Sequence, residues 1–316
     1  MLAVLSVTTP LFAIVLVGYL AARYGPFPRS AMRALGDFTM YIALPAALFL
    51  AVASRDLAEV IDPSYLVTLA IGSLATQLSI WIILRIKGTG PRRRALAVMG
   101  SATSNSAFLG FPIIYSVLPD HAGVVFAMNL LIENFLLTPI GLVLLASAQA
   151  EGPDRPKPLR LIGQIALSVL RRPLIIALLA AMAFIVMGLH LPVIAQNFFG
   201  TVGAAATPIA LFVIGGTLYG LDLRGEIKLA GLIATVKLLL HPALVAIMMV
   251  LGAATFLPPL SPEMQAALIL SATMPMFATY VMFAQEVGHE GLASLALTIA
   301  VCLSFVTINI ALLVLI

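Results

Sequence analysis

Ten runs of about 20 predominantly apolar residues, centred near residues 13, 42, 75, 106, 134, 179, 208, 239, 274 and 303, constrain this chain more than any other feature. In a bilayer every backbone amide and carbonyl must be satisfied within the protein, so runs of this length predict membrane-spanning α-helices. Only 9% of the 316 residues are charged, against roughly a quarter in soluble domains, and the mean hydropathy is +1.12. The expectation is an all-α integral membrane protein embedded in a lipid bilayer. A pI near 9.4 would suggest nucleic acid for a soluble chain, but here the basic residues lie between apolar runs and have a topological explanation, so no nucleic-acid partner is expected. The single cysteine, Cys302, lies in the last run and reads as a small buried hydrophobe. It leaves no disulfide framework and no Cys-based metal site, and neither a metal nor a cofactor is expected.

The basic residues set the orientation. Fifteen of the 17 Lys and Arg follow odd-numbered runs: Arg23, Arg29 and Arg33; Arg85, Lys87 and Arg92 to Arg94; Arg155, Lys157, Arg160, Arg171 and Arg172; Arg224 and Lys228. Arg55 alone follows an even-numbered run, and Lys237 falls inside one. Positive charge accumulates on the cytoplasmic side, which predicts cytoplasmic odd-run connections and both termini outside the inner (plasma) membrane. The first run lacks a basic segment before it, and reads as a retained helix rather than a secretion signal. The long polar connection from Gln149 to Arg160, with Pro153, Pro156 and Pro158, reads as a cytoplasmic tether between two halves.

The halves resemble each other. Ala43-Leu44-Pro45-Ala46-Ala47-Leu48-Phe49 matches Ala206-Thr207-Pro208-Ile209-Ala210-Leu211-Phe212, Pro10 matches Pro173 at the same shift, and Ser101-Ala102-Thr103 matches Ser271-Ala272-Thr273. The common order of these matches indicates a duplication. Five spans is an odd number, so the second copy inserts with opposite polarity, giving an inverted repeat of the kind found in alternating-access carriers. The predicted units are residues 1–150, a linker 151–164, and residues 165–316.

Two spans carry helix breakers in corresponding positions. Span 4 reads Ser101 to Pro112, with Ser104, Asn105 and Ser106 ahead of Gly110 and Pro112; span 9 has Ser271 to Pro275. Asn105 lies roughly 15 to 20 Å from the cytoplasmic arginines at 1.5 Å per residue, and Pro275 at comparable depth from the other side. Proline has no amide to give the residue four before it, so the carbonyls of Phe108 and Ser271 are expected to be free. Each second half-helix offers free amides that attract an anion such as a carboxylate, and the span 4 hydroxyls and Asn105 orient a ligand. The plainer reading is that these residues only kink or pack the helices.

Charges inside spans are costly unless they face a cavity or a partner. Glu133 in span 5 shares a face with Asn129, and Lys237 in span 8 shares one with His241. The functional reading is a proton or sodium site at Glu133, with Lys237 as counter-ion to Glu133 or to an anionic substrate; the alternative is a buried structural pair or a snorkelling lysine. His241 is either a titrating group or a packed one. Gln77, Tyr280, Gln285 and Asn309 are further candidates to complete the site. Asp37, Glu286 and Glu290 read as helix-end charges, and Trp81 as an interface or core aromatic.

Asn105 to Pro112, Asn-Ser-Ala-Phe-Leu-Gly-Phe-Pro, resembles the Asn-x-x-Phe-Leu-Gly-x-Pro signature of the auxin efflux carrier family. The segment Pro275 to Gly288, with Tyr280-Val281-x-x-Ala284 and Glu286, is similar to that family's second-half segment, and Ala43 to Ala46 and Arg172 to Ile175 also fit. The resemblance implies ten helices in two inverted five-helix repeats, with broken helices 4 and 9 crossing at the midplane. It implies a scaffold of helices 1, 2, 6 and 7, a transport domain of helices 3–5 and 8–10, and a homodimer formed through the scaffold. It also implies organic-anion cargo, auxin-like or of the malonate and malate type. The long cytoplasmic loop of the plant members is absent. Bile-acid:sodium symporters share the fold, which leaves sodium coupling open.

The expected function is a secondary carrier of small carboxylates, with Ser104, Asn105, Ser106, Gly110, Pro112, Pro275 and Tyr280 at the substrate site. Glu133, Asn129, Lys237, His241 and Gln77 are the expected coupling-ion or proton groups, the ion being H+ or Na+. A membrane-bound ligand sensor and a channel are the rival classes. An intramembrane enzyme is disfavoured because no His-Glu-x-x-His, paired-aspartate or Gly-x-Ser-x-Gly pattern is present.

Overall fold

The computed structural model describes residues 2–55, 57–149, 158–221 and 226–315. The tether residues 150–157, including Arg155 and Lys157, and Arg224 lie outside the described residues. Among the described residues every regular element is helical. Seven helices are long and apolar enough to cross a membrane: α1 (Leu2–Tyr24), α2 (Arg29–Ala53), α3 (Pro63–Ile86), α5 (Pro119–Gln149), α7 (Val193–Leu218), α8 (Ile227–Thr255) and α10 (Glu290–Leu315). An eighth candidate, α6, bends by 71° between Gly163–Leu170 and Pro173–Val186. Two further helices, below that length, are interrupted. α4 consists of α4a (Pro91–Ala102) and α4b (Ser106–Gly110 continuing into Phe111–Val117), and α9 of α9a (Pro262–Thr273) and α9b (Tyr280–Gln285).

Local sequence explains the starts. Asp62 caps α3, its side chain accepting from the amides of Ser64 (2.8 Å) and Tyr65 (3.1 Å), with Pro63 at the first position where a missing amide costs nothing. Ser261 and Pro262 do the same for α9a, Ser261 accepting from Met264 at 3.3 Å.

Prolines inside the spans do not break them where a wide turn precedes. Thr39–Ala43, Ser106–Gly110, Glu133–Leu137 and Val236–Leu240 are π turns, and Pro45, Pro112, Pro139 and Pro242 each follow two residues after one. The residue before each proline donates five residues back, as Leu44 does to Thr39 and His241 to Val236. The extra residue in the turn accommodates the ring that would otherwise strike the preceding turn's carbonyl.

Side by side, α1 packs on α7, α2 on α6 and α7, α3 on α4 and α8, α4a on α5, α8 on α9a and α10, and α9 on α10. With lipid as solvent there is little hydrophobic drive between helices, so close contact rests on small residues. A Cβ on Gly215 of α7 would stand 1.7 Å from the Val15 carbonyl oxygen of α1, and one on Gly18 would stand 2.0 Å from the Phe212 carbonyl oxygen. Only glycine permits that approach. A polar pair recurs in each half: Asn134 of α5 donates to the Leu130 carbonyl (2.9 Å) and accepts from Arg172, while Asn309 of α10 donates to the Phe305 carbonyl (2.6 Å) and accepts from Thr8 at 2.8 Å.

Cys302 is exposed on α10, which corrects its reading as a buried hydrophobe. The outer face of a membrane helix is itself apolar, so an apolar residue there needs no cover from the protein. The prolines matched as Pro10 and Pro173 also differ: Pro10 lies within continuous α1, whereas Pro173 opens the second arm of bent α6.

Candidate functional site

The interruptions of α4 and α9 meet. After α4a the chain is extended at Thr103 (φ −83°, ψ 130°) and non-helical through Asn105 (φ −87°, ψ 61°). After α9a it turns extended at Met274 (φ −65°, ψ 147°), the residue before Pro275, where the proline ring disfavours helix. The Asn105 amide donates to the Pro275 carbonyl at 2.8 Å, joining the breaks main chain to main chain. Asn105 then caps α4b: its side-chain oxygen accepts from the Phe108 amide (3.2 Å), and its carbonyl accepts from Leu109 (3.1 Å) and Gly110 (2.9 Å).

The break in α4 therefore falls at 103–105, ahead of Gly110 and Pro112, which were expected to make it. Those two residues are buried inside α4b, because the π turn at Ser106–Gly110 makes room for Pro112. In α9 the expected free carbonyl exists and is used: Ser104 donates its hydroxyl to the Ser271 carbonyl at 2.9 Å.

Lys237 reaches the same place from the π turn of α8. Its ammonium, 0% exposed, has three acceptors: Ser104 Oγ at 3.0 Å, the Ala272 carbonyl at 2.9 Å and His241 Nδ1 at 2.8 Å. An ammonium has three protons, so the set is complete. With Nδ1 accepting, the imidazole is assigned as the neutral Nε2–H tautomer, and Nε2 donates to Ser73 Oγ at 3.0 Å. Ala272 and Ser271 lie in the last turn of α9a, the negative end of its dipole. Lys237 thus caps a half-helix C-terminus.

Glu133, at the head of the π turn in α5, takes a hydrogen bond from Ser106 Oγ at 2.6 Å and is half-buried. Ser106 opens α4b, so this carboxylate sits at the positive end of a half-helix. Among the described residues the ion pairs within 4.0 Å are Arg55 with Glu59 and Arg93 with Glu226, so Glu133 and Lys237 form no direct pair. Each is compensated by a helix end of opposite polarity and by a serine on either side of Asn105, so any counter-ion relation between Lys237 and Glu133 acts across a gap rather than through direct contact.

A third cluster ties α3, α5 and α9a. The Tyr65 hydroxyl lies 2.9 Å from Asn129 Oδ1 and 3.2 Å from Ser271 Oγ, and Asn129 Nδ2 donates to Ser271 Oγ at 2.9 Å. One proton per contact closes a ring: Tyr65 to Asn129, Asn129 to Ser271, Ser271 back to Tyr65.

Of the candidates, Ser104, Asn105, Ser106, Pro275, Lys237, His241, Glu133 and Asn129 come together at or beside the crossing. Gln77 and Tyr280 do not join this hydrogen-bonded network. Gln77 Nε2 donates weakly to the Leu137 carbonyl at 3.3 Å, while its Oε1 and the Tyr280 hydroxyl are buried without partners among the described residues. Tyr280 lies over Gly100 of α4a, where an added Cβ would be 2.9 Å from its Cζ. Tyr65 and Ser73 were missed. A buried stripe on α3 of Tyr65, Thr68, Ser73, Thr76 and Gln77, at helical spacing, is the signal that reveals them. A separate cavity of about 360 Å³, lined by Ser64, Thr68 and Gln265 among apolar residues of α8, lies away from the crossing.

The sequence is 27% identical over 310 residues to a protein named "Putative malonate transporter" from Rhizobium meliloti (strain 1021), covering 95% of this chain and 92% of that one. It is 28% identical over 248 residues to the lysosomal cholesterol signaling protein of Mus musculus, covering 74% of this chain and 28% of that longer protein. It is 27% identical over 213 residues to the uncharacterized transporter YfdV of Escherichia coli (strain K12), covering 66% and 67%. The profile of a family described as "Membrane transport protein" matches residues 3–312. The chain is a multi-pass membrane protein and belongs to this membrane transport protein family, that of the auxin efflux carriers.

Proposed function

We propose that the protein is a secondary carrier of small organic anions, carboxylates of the malonate or malate type, working by alternating access. The observation that carries this reading is the main-chain contact between Asn105 and Pro275, with Lys237 and Glu133 on either side of it. Irregular backbone in a membrane protein persists where it lines a binding site, and the buried ammonium beside it, though its three protons are already bonded, adds positive potential that favours an anion. The similarity to a protein named for malonate transport supports the same substrate class.

The ten helices form two inverted repeats in this reading. Exchanging helices 1–5 for 6–10 in order turns the α1–α7 contact into α6–α2, α3–α4 into α8–α9, α4–α5 into α9–α10 and α3–α5 into α8–α10, and returns α3–α8 to itself. The Asn134 and Asn309 pairs interchange in the same way. Helices 1, 2, 6 and 7 serve as scaffold, forming the interface of a homodimer, and the others carry the site in an elevator or rocking motion. The carrier resides in the inner membrane with both termini outside. Substrate is held by Ser104, Asn105 and Ser106, and Glu133 carries the coupling proton.

The test is uptake of labelled malonate, malate and indole acetate by proteoliposomes holding the purified protein, with Asn105→Ala as the site variant. Saturable uptake lost in Asn105→Ala is expected, and unchanged transport in that variant would overturn the site. A sodium requirement in place of a pH-gradient requirement would replace the proton by sodium. Specific binding without accumulation would make the protein a sensor, and unsaturable flux would make it a channel.

A further inference from the structure

The end of α3 carries a second concentration of charge that the crossing does not use. Arg85, Lys87, Arg92, Arg93 and Arg94 fall within ten residues on either side of a tight turn. Their surroundings divide them. Arg93 is paired with Glu226. Arg85 and Arg94 have no carboxylate within 4.0 Å among the described residues, and both guanidinium groups lie over the ring of Trp81, at 4.9 and 5.7 Å from its centroid. Trp81 packs against the buried core, so the ring is a fixed platform that orients two cations.

The same helix supplies an apolar track that leads to them. Leu78, Ile82 and Ile86, one turn apart, are 57%, 43% and 81% exposed and face away from the protein. Trp81 and Arg85 lie between them on the helix surface, so the track runs directly into the pair of arginines.

We propose that Arg85 and Arg94, held on Trp81, bind the headgroup phosphate of an anionic phospholipid whose acyl chains lie along Leu78, Ile82 and Ile86. Guanidinium groups match phosphate oxygens in a forked geometry that an ammonium lacks. Lys87 and Arg92, both exposed, add positive charge around the headgroup. That selects a net-negative lipid over a zwitterionic one, whose own ammonium is repelled. The apolar track commits the site to a lipid rather than to free phosphate.

Trp81 is the chain's only tryptophan, so its fluorescence reads this site alone. The protein is reconstituted into phosphatidylcholine vesicles in which part of the lipid is replaced by brominated phosphatidylglycerol or by brominated phosphatidylcholine. Brominated phosphatidylglycerol is expected to half-quench Trp81 at a mole fraction lower by roughly fivefold per engaged arginine. Arg85→Gln and Arg94→Gln each reduce that preference, and the double variant leaves only the small part that Lys87 and Arg92 supply. Arg92→Gln, at an exposed residue off the ring, retains most of it, and Arg85→Lys loses part. Equal quenching by the two lipids, an undiminished preference in the double variant, or an equal loss in Arg92→Gln would overturn the site. So would displacement of the preference by inorganic phosphate at matched ionic strength. Native emission and melting of the double variant report that it is folded.

Discussion

The amide of Asn105 donates to the carbonyl of Pro275 at 2.8 Å, and this bond fixes two helix ends that would otherwise carry unpaired main chain inside the membrane. Proline supplies an acceptor there without a donor, and Asn105 supplies the donor without needing a proline of its own. The breaks are complementary rather than equivalent. This explains why only α9 has a proline at its interruption, while α4 is held open by its partner, by Thr103 turning back to the Met99 carbonyl (2.5 Å) and by Ser104 reaching Ser271.

Lys237 is expected to be needed for stability as well as function. Lys237→Met keeps the apolar stem but takes a donor from the Ala272 carbonyl, Ser104 and His241, leaving Ala272 only the longer contact with His241 Nδ1 at 3.2 Å. Leaving buried acceptors unmade costs about 2 kcal/mol, so the variant should melt at lower temperature in detergent. A double-mutant cycle with Ser104→Ala checks the mechanism: the two losses should be less than additive, because both residues serve one network. Full additivity would show that Lys237 acts elsewhere.

Tyr280 predicts the opposite sign. Its hydroxyl is buried with no partner among the described residues, so Tyr280→Phe removes an unsatisfied group and should stabilise this conformation by about 1 kcal/mol. If Tyr280→Phe melts higher but transports more slowly, the hydroxyl finds its partner in the other conformation, and the orphan is a feature of a moving site. Gly100→Ala should destabilise, since its Cβ would meet the ring.

The contact between α1 and α7 is the least forgiving. A methyl on Gly215 would overlap the Val15 carbonyl and one on Gly18 the Phe212 carbonyl, and neither backbone can retreat without parting α1 from α7. Gly215→Ala is expected to cost about 3 kcal/mol or more, read as loss of monodisperse protein after extraction. Gly163→Ala, with open space around it, is the control and should be neutral.

The breaks and the buried charges were legible in the sequence because polar and proline residues inside apolar spans have few explanations. Ser104, Asn105, Lys237 and Glu133 all stood out on that ground. What was not legible is how they pair. Sequence alone left Lys237 open as counter-ion to Glu133 or to a substrate, and it did not show that each of the two takes a helix end, because an interrupted helix creates partial charges no residue code records. The location of the break was misread for a related reason: Gly110 and Pro112 are strong breakers in a regular helix, yet a π turn absorbs them, and such turns have no composition of their own. Tyr65 and Ser73 were overlooked because a tyrosine or serine in an apolar helix is unremarkable until its face is known.

In the proposed carrier, Glu133 is the residue expected to decide how transport is driven. Its carboxylate occupies the amino end of α4b through Ser106, the position that a substrate carboxylate would favour, so the two negative groups compete for one place. Protonation of Glu133 relieves that competition and links anion binding to proton binding. Glu133→Gln mimics the protonated state permanently and preserves an oxygen to accept from Ser106. The expected result in proteoliposomes is that counterflow exchange of labelled malonate persists, while accumulation driven by a pH gradient disappears. Substrate affinity should also lose its dependence on pH, because the site no longer has to gain a proton before it gains the anion. If gradient-driven accumulation survives in Glu133→Gln, the proton does not ride on this residue. Sodium replacement and a voltage clamp with valinomycin then separate sodium coupling from potential-driven uniport.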